Sequence, residues 1–172
     1  MSTDGTVTLT EVKFSDAEIL FRWINDPELV RLHGPYRPIA WGEHLRWLDQ
    51  LSANPSQVVF AVRLSGDGPP IGLLQIRSIH AVHNSAELLI RIGPAEARGQ
   101  GHGTQALRKG LAFAFGDLNL ERVFLHVFAD NPGAIRAYER AGFILEGRLR
   151  RAAFIAGEWK DVLLMACLRN GD

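Results

Sequence analysis

The sequence predicts an α+β fold in which a mostly antiparallel sheet is covered by helices. Strand-like and helix-like segments alternate along the chain, and two of the strands flank a short Gly/Pro turn typical of a hairpin. Only one strand-helix-strand succession reads as a crossover between parallel strands. The chain has 172 residues, of which 47% are hydrophobic. It can therefore bury one core, and we expect a single domain over residues 1–172.

The start of the chain predicts a strand and then a helix. Residues 7–12, VTLTEV, alternate in polarity as a strand does. In SDAEILFRWIND, residues 15–26, apolar side chains recur at helical spacing, and Ser15 or Asp16 is the expected N-cap. Pro27 follows at once and is expected to mark the end of this helix.

The next segment predicts one helix and three strands. WGEHLRWLDQL places four apolar side chains on one helical face, namely Trp41, Leu45, Leu48 and Leu51. Strands are predicted for QVVFAVRL, IGLLQIRSI and SAELLIRIG, which cover residues 57–64, 71–79 and 85–93. The turn SGDGPPIG joins the first two of these strands.

The second half of the chain predicts two helices and three strands. TQALRKGLAFAF is a helix, and RVFLHVF is the strand after it. In NPGAIRAYERAG, Asn131 is the expected N-cap of a helix, Pro132 its first residue and Gly142 its end. Strands over residues 143–154 and 159–168 complete a set of about seven strands and four helices.

Composition excludes several classes of function. Nineteen basic side chains balance 19 acidic ones, and the pI is near 7.0, so no general field attracts nucleic acid or an anionic membrane. The basic cluster GRLRR lacks interleaved aromatic residues and is expected to be a solvated strand edge.

Cys167, the single cysteine, lies in an apolar run and is expected to be a buried small hydrophobe. No targeting signal or membrane span is visible, which predicts a cytoplasmic protein.

The stretch ARGQGHGTQ joins a predicted strand to a predicted helix with three glycines at alternate positions. Such a loop exposes the first unpaired N–H groups of the helix, which favour a phosphate or pyrophosphate. Arg98 can add a charged contact and Thr104 a hydroxyl. No Gly-Lys-Ser/Thr follows, so the loop is not a P-loop. A tight structural turn and a dinucleotide-binding loop remain alternatives at this point.

A second element about thirty residues downstream narrows these alternatives. The pair RGQGHG and NPGAIRAYERAGF resembles the two cofactor motifs of the GNAT superfamily of acetyl-CoA-dependent N-acetyltransferases. The order of the other predicted elements is similar to that of the superfamily over essentially the whole chain. The resemblance implies the GNAT acyltransferase fold, with a twisted sheet whose strands splay at the cofactor site. It also implies acetyl-CoA as cosubstrate, and no metal.

The resemblance implies which residues bind coenzyme A. The loop from Arg98 to Thr104 is expected to cradle the pyrophosphate, and the pantetheine arm to lie along the preceding strand like an added strand. The cofactor-binding residues implied are Ile90, Arg91, Ile92, Arg98, Gly99, Gln100, Gly101, His102, Gly103, Thr104 and Asn131. The first three bind through their backbone, and His102 needs only its backbone.

Two residues are candidates for catalysis. The resemblance implies that Tyr138 is the general acid for the leaving thiolate, although a helical tyrosine on its own is more often a packing residue. Glu87 is the candidate for removing the proton from the acceptor amine, because related enzymes often carry a glutamate there. Its alternative interpretation is a solvated glutamate at a strand end. The histidines His80, His83 and His126 match no metal-site spacing and are expected in ordinary strand or loop positions.

Acceptor choice is attributed, by the same resemblance, to the first two helices and their loop. This segment resembles N-acetyltransferases of nucleotide-linked amino sugars, so such a sugar ranks first, a protein N-terminus second and a polyamine third. Several arginines could contact a diphosphate, namely Arg22, Arg31, Arg37 and Arg46. Trp23 and Trp41 fit apolar stripes and are expected to pack in the core. Expected partners are a small amine or a peptide N-terminus, without nucleic acid or membrane, and a homodimer is left open.

A hypothesis of another class is a non-catalytic sensor module that binds acyl-CoA. Tyr138 argues against it, because a binding module needs no proton donor at the thioester.

Overall fold

The structure of the protein is a computed structural model that describes residues 5–171. Residues 1–4 and 172 lie outside the described residues. The expectation that the N-terminal segment carries no targeting signal falls partly on these residues. Within residues 5–171, no helix is both long enough and apolar enough to cross a membrane.

One seven-stranded sheet organises the described chain, with the strand order β1-β2-β3-β4-β5-β7-β6. Every neighbouring pair is antiparallel except β4 and β5, which are parallel. The mostly antiparallel sheet and its single crossover are thus confirmed. The strands are β1 (Thr8–Glu11), β2 (Val58–Arg63), β3 (Pro70–His80), β4 (Ser85–Ile92), β5 (Arg122–Phe128), β6 (Ile144–Ile155) and β7 (Glu158–Leu168).

Within residues 5–171, five α-helices cover the sheet, together with three short 3-10 turns, where the sequence predicted about four helices. They are α1 (Ala17–Ile24), α2 (Pro27–Arg31), α3 (Trp41–Gln50), α4 (His102–Gly116) and α5 (Pro132–Ala141). The additional helix is α2, and Pro27 begins it instead of only ending α1. Asp26 caps α2 by accepting hydrogen bonds from the backbone N–H groups of Glu28 and Leu29. Proline fits the first helical position because its missing N–H is not needed there.

The expected N-cap position of α1 is confirmed, but the capping residue bonds to other partners. Asp16 is at the N-cap position, but its side chain makes no cap hydrogen bond to the helix. The carboxylate instead accepts from the Lys13 backbone N–H at 2.8 Å and from the Arg63 guanidinium at 2.6 Å. The Asp16 and Arg63 side chains are only 5% and 3% exposed, so this is a buried ion pair that joins the start of α1 to β2.

The buried face of α3 also differs from the expectation. The structure buries His44 and Leu48, whereas Trp41 is 42% exposed and packs edge-on against Phe21 with ring centroids 5.0 Å apart. His44 Nε2 donates to the Ala17 carbonyl oxygen at 2.8 Å, which turns this polar side chain inward. Apolar periodicity alone could not anticipate that contact. Trp23, by contrast, is buried as expected.

The sheet has a core on each face. The larger core lies under α4 and α5 and includes Leu74, Leu88, Leu107, Val123 and Leu125. The smaller core lies under α1 and α2, where Leu20, Trp23 and Leu29 pack against Leu73. Leu73 and Leu74 are successive residues of β3, so their side chains point to opposite faces.

The two parallel strands separate after a short contact. β4 and β5 pair only over Ser85–Glu87 and Arg122–Phe124. Beyond this point β4 continues to Ile92 while paired with β3 alone, and β5 continues to Phe128 while paired with β7. The predicted splay is confirmed, and it leaves a gap in the middle of the sheet.

Candidate active site

Two adjoining cavities open at this gap. The first, here called the loop cavity, has a volume of about 480 Å³ and extends from the glycine loop along the end of β4 and the side of α5. The second, here called the acceptor cavity, has a volume of about 270 Å³ and lies over the beginning of the gap. Five residues line both cavities: Leu32, His33, Asn131, Ala134 and Tyr138. The cavities therefore meet at these five residues, of which Tyr138 is one.

The glycines of the loop keep the loop cavity open. Gly99 and Gly101 have φ angles of 73° and 84°, a left-handed backbone conformation that residues other than glycine rarely adopt. Gly103 lies in the first turn of α4, where a Cβ atom would meet nothing closer than Ile92 Cγ1 at 3.9 Å. All three line the cavity beside the N-terminus of α4, whose first N–H groups have no partner within the helix.

The side chains around the loop mostly stabilise it. Arg98 donates to the carbonyl oxygens of Ile92 at 3.1 Å and Gly93 at 2.5 Å, which ties the loop to the end of β4. The buried His102 ring contacts the Ala97 carbonyl oxygen at 3.1 Å, through Nδ1. The Gln100 amide donates to the Glu96 carbonyl oxygen. Three of the predicted cofactor residues do not line the loop cavity with the others. They are Arg91, Gln100 and His102.

The remaining predicted cofactor residues are brought together at the loop cavity. They are Ile90, Ile92, Arg98, Gly99, Gly101, Gly103, Thr104 and Asn131. Asn131 also caps α5 as expected, since its Oδ1 accepts from the Ala134 backbone N–H at 3.2 Å. Arg136 and Arg140 of α5 line the same cavity, and their positive charges were not singled out from the sequence.

Tyr138 lies at the junction and is only 6% exposed. Its ring packs edge-on against Phe143, with centroids 5.9 Å apart. Burial raises the pKa of the Tyr138 hydroxyl to about 12, so this group stays protonated at neutral pH. The packing and the contact with the cavity occur together, so the packing role does not exclude a role as proton donor.

Glu87 lies in the acceptor cavity and is held there by two neighbours. Its Oε2 accepts from Arg77 Nε at 2.9 Å, and its Oε1 accepts from His126 Nδ1 at 3.0 Å. Burial raises the pKa of the carboxyl, but the hydrogen bonds from Arg77 and His126 outweigh burial, and the pKa is lowered overall. Glu87 is therefore an ionised, ordered carboxylate and not a freely solvated one.

Sequence reasoning did not consider Arg77 or His33 of the acceptor cavity, and its expectation of an ordinary strand or loop position for His126 left out the contact with Glu87. Arg77 and His126 contact Glu87, and His33 lines both cavities. Burial is the largest cause that lowers the pKa of His33 to about 4, and the charges of Arg91 and Arg98 lower it further. His33 is thus neutral at neutral pH. Strand alternation could have placed His126 on the side of Glu87 only if the register of β4 against β5 had been known.

Comparisons with known proteins agree with this architecture. A family model described as acetyltransferase (GNAT) domain matches residues 6–144. A spermidine N(1)-acetyltransferase from Vibrio cholerae serotype O1 is 39% identical over 100 residues, which are 58% of this chain and 57% of that protein. A spermidine N(1)-acetyltransferase from Escherichia coli K12 is 35% identical over 104 residues, or 60% of this chain and 55% of that protein. Each match thus spans little more than half of the relative.

A solved structure is similar over nearly the full length. It is the crystal structure of spermidine N-acetyltransferase from Vibrio cholerae in complex with CoA and spermine. The TM-score is 0.87 with 28% sequence identity, and the match covers 97% of this chain and 98% of that one. The backbones of the two chains therefore follow the same overall path.

Proposed function

The chain belongs to the acetyltransferase (GNAT) domain family, and from this premise we propose that it transfers an acetyl group from acetyl-CoA to a primary amine. The observation that carries the proposal is the meeting of two cavities at Tyr138. One cavity has the features of a nucleotide-phosphate site, and the other holds an ordered carboxylate. A thioester at the junction would be within reach of both a proton donor and an amine.

The residues of the loop cavity fit coenzyme A. Bare backbone at Gly99, Gly101 and Gly103 next to the N-terminus of α4 suits a pyrophosphate, which the helix dipole favours. Arg98, Arg136 and Arg140 add positive charge around this cavity. The unpaired edge of β4 beyond Glu87 offers backbone groups to the amides of the pantetheine arm.

In the proposed reaction the neutral amine attacks the thioester carbonyl carbon, and the carbon–sulfur bond breaks. Tyr138 gives its hydroxyl proton to the departing sulfur, and the phenol regains a proton from the acylated nitrogen. Because its pKa is about 12, the phenol keeps its proton until the sulfur departs. Transfer to a thiolate, whose conjugate acid has a pKa of about 8.5, is unfavourable alone and is completed when the phenolate takes the proton of the cationic acylated nitrogen. The acceptor reaches the site as an ammonium, so a further proton must be removed before attack.

For the acceptor, we infer that a polyamine is the first class to test, ahead of the nucleotide-linked amino sugar favoured by the sequence. The names of the relatives, spermidine N-acetyltransferases in two organisms, support this order. Glu87 is ionised and lies on the wall of the acceptor cavity, so its negative charge favours an acceptor that binds as an ammonium.

A singly charged amine is the second candidate, and the lining of the acceptor cavity favours it. Glu87 is the one carboxylate among the described residues that line this cavity, and it already pairs with Arg77. A polyamine would bring further ammonium groups that find no second carboxylate on the wall. A peptide N-terminus or an amino sugar brings one ammonium only.

The test is thiol release from acetyl-CoA with a panel of amines: spermidine, a nucleotide-linked amino sugar and a peptide with a free N-terminal alanine. We expect release that depends on both substrates, with the product identified by mass. Release with spermidine supports the polyamine class, and release restricted to a monoamine supports the second candidate. Tight binding of acetyl-CoA without release for any amine would contradict acetyl transfer and favour the sensor module.

A further inference from the structure

We propose that His126 is the general base that takes a proton from the acceptor ammonium, and that Glu87 is the positioning residue that holds its ring. The inference rests on the acetyl transfer proposed above and assigns its proton-removal step. The two residues lie on the adjacent strands β4 and β5, where these strands begin to separate. Both line the acceptor cavity, so the imidazole touches the space that an amine would enter.

The contact with Glu87 fixes the tautomer of the ring. An ionised carboxylate can only accept a hydrogen bond, so the 3.0 Å contact requires that His126 Nδ1 carries the proton. In the neutral imidazole the lone pair is then on Nε2, which has no hydrogen-bond partner among residues 5–171. A lone pair without a protein partner, on a ring in the cavity wall, is what a general base requires.

Glu87 itself is less suited to take the proton. Its two oxygens already accept from Arg77 Nε and His126 Nδ1. These contacts lower the pKa of the carboxyl, which weakens it as a base at neutral pH. The side chain is 16% exposed, whereas that of His126 is 42% exposed, so the ring can pass a proton on to solvent.

The protons of the reaction balance with this assignment. The ammonium has three protons, and the first goes to His126 Nε2 and from there to water. The second leaves the nitrogen after its attack on the carbonyl carbon and restores the Tyr138 hydroxyl, which has protonated the sulfur. The third remains on the amide. The reaction therefore releases one proton overall, through His126.

The acceptor cavity also allows a clear pH test. Its titratable and charged lining groups are His33, Arg77, Glu87, His126 and Tyr138. The pKa of His33 is about 4 and that of Tyr138 about 12, while the pKa of Glu87 is lowered. Arginine stays protonated throughout. Histidine is the type of side chain that ordinarily changes charge near neutral pH. A pH dependence of the wild-type rate in this range that is absent from a His126 variant is therefore assigned to this ring.

The first experiment measures kcat and kcat/KM against pH for wild type and His126→Gln, with an amine that the wild type accepts. We expect His126→Gln to lower kcat near pH 7 by about 10²- to 10⁴-fold, the usual contribution of general-base catalysis. The rise of the wild-type rate through neutral pH should disappear, and the variant should recover only as the amine itself loses its proton. Affinity for acetyl-CoA should not change.

Chemical rescue separates a base from a structural residue. Imidazole added to His126→Ala should restore part of the rate, because the side chain it replaces is exposed to solvent. Glu87→Gln should lower kcat with no rescue by imidazole, since the ring is still present there but no longer held in one tautomer. Thermal unfolding of each variant shows whether it is folded.

The matched control is His83→Gln, an exposed histidine in the turn between β3 and β4 that lines neither cavity. It should retain the wild-type rate and pH profile. A folded His126→Gln with a rate within about twofold of wild type and an unchanged pH profile would overturn the proposal. The failure of acetyl transfer itself looks different, because then the wild type releases no thiol with any amine.

Discussion

At the scale of single residues, Tyr138 is the most specific prediction of the site. Tyr138→Phe removes one hydroxyl and leaves the packing against Phe143 in place. We expect kcat to fall by about 10²- to 10⁴-fold, because the thiolate loses its proton donor, and acetyl-CoA affinity to stay within about twofold. Steady-state kinetics and calorimetric titration measure the two effects separately.

The chain supplies its own control for this substitution. Tyr36 is the other of its two tyrosines, and it lines neither cavity. Tyr36→Phe should leave kcat unchanged. Equal rates in Tyr138→Phe and wild type would return Tyr138 to a packing role.

The buried pair of Asp16 and Arg63 gives a stability prediction. Asp16→Ala leaves the Arg63 guanidinium buried without its carboxylate, so the free energy of unfolding should fall by about 3–5 kcal/mol. Urea denaturation followed by circular dichroism measures the loss. The exposed pair of Glu18 and Arg22 is the contrast, and Glu18→Ala should cost no more than about 1 kcal/mol. Similar losses in the two variants would show that burial of the Asp16 pair is not what matters.

Residues within a local motif could be predicted from the sequence, whereas residues joined by long-range packing could not. Asn131, Tyr138 and the glycines of the loop belong to the two local motifs that carry the resemblance to the GNAT superfamily, and all of them line the loop cavity. The contact of Glu87 with His126 spans 39 positions and depends on the register of two strands. His33 is at the junction because of the loop after α2, and the sequence carries no periodic signal for such a loop.

At the scale of elements, a substitution in the first turn of α4 should change the stability of the fold and the affinity for acetyl-CoA in opposite directions. Gly103→Ala adds a methyl group in a helix, which should raise the free energy of unfolding by roughly 0.5–1 kcal/mol. The same methyl group would occupy the loop cavity beside the expected pyrophosphate. We expect acetyl-CoA affinity to fall by about tenfold, in line with the cost of overpacking a close contact.

Gly116 at the other end of α4 is the matched control. A Cβ atom there meets nothing within 4 Å, and the residue lines neither cavity. Gly116→Ala should not change acetyl-CoA affinity as measured by calorimetry. A Gly103→Ala protein that binds acetyl-CoA as tightly as wild type would show that the phosphates lie elsewhere.

The elements themselves were largely predictable, and the differences at α1 and α3 have a common cause. Each of the seven strands of the described chain overlaps a segment predicted as a strand, and four of the helices follow from apolar periodicity or capping. At α1 and α3, polar side chains bond across the structure: Asp16 to Arg63, and His44 to the Ala17 carbonyl oxygen. A hydrophobic pattern does not encode such partners. The helix α2 was missed although its signal is local, since Asp26 and Pro27 begin it.

At the scale of the whole molecule, binding of acetyl-CoA should stabilise the fold. A ligand at 100 times its Kd adds about 2.7 kcal/mol, which for a domain of this size raises Tm by roughly 5–11 °C. Differential scanning fluorimetry with acetyl-CoA, and with NAD as the control ligand, measures the shift. A rise with NAD and none with acetyl-CoA would favour the dinucleotide interpretation of the glycine loop.

The separation of β4 and β5 also bears on how the protein avoids aggregation. An unpaired strand edge can pair with a strand of another chain and so promote aggregation. Besides the edges of the outer strands β1 and β6, this sheet has two further unpaired edges, on β4 and β5 where they separate. They face a cavity that is lined by Leu29 of α2 and the turn after it, and by residues of α5. The fold thus leaves unpaired backbone groups accessible to a narrow, extended ligand, while a strand of another protein is too large to reach them. A binding groove and a protected edge are here the same feature of the sheet.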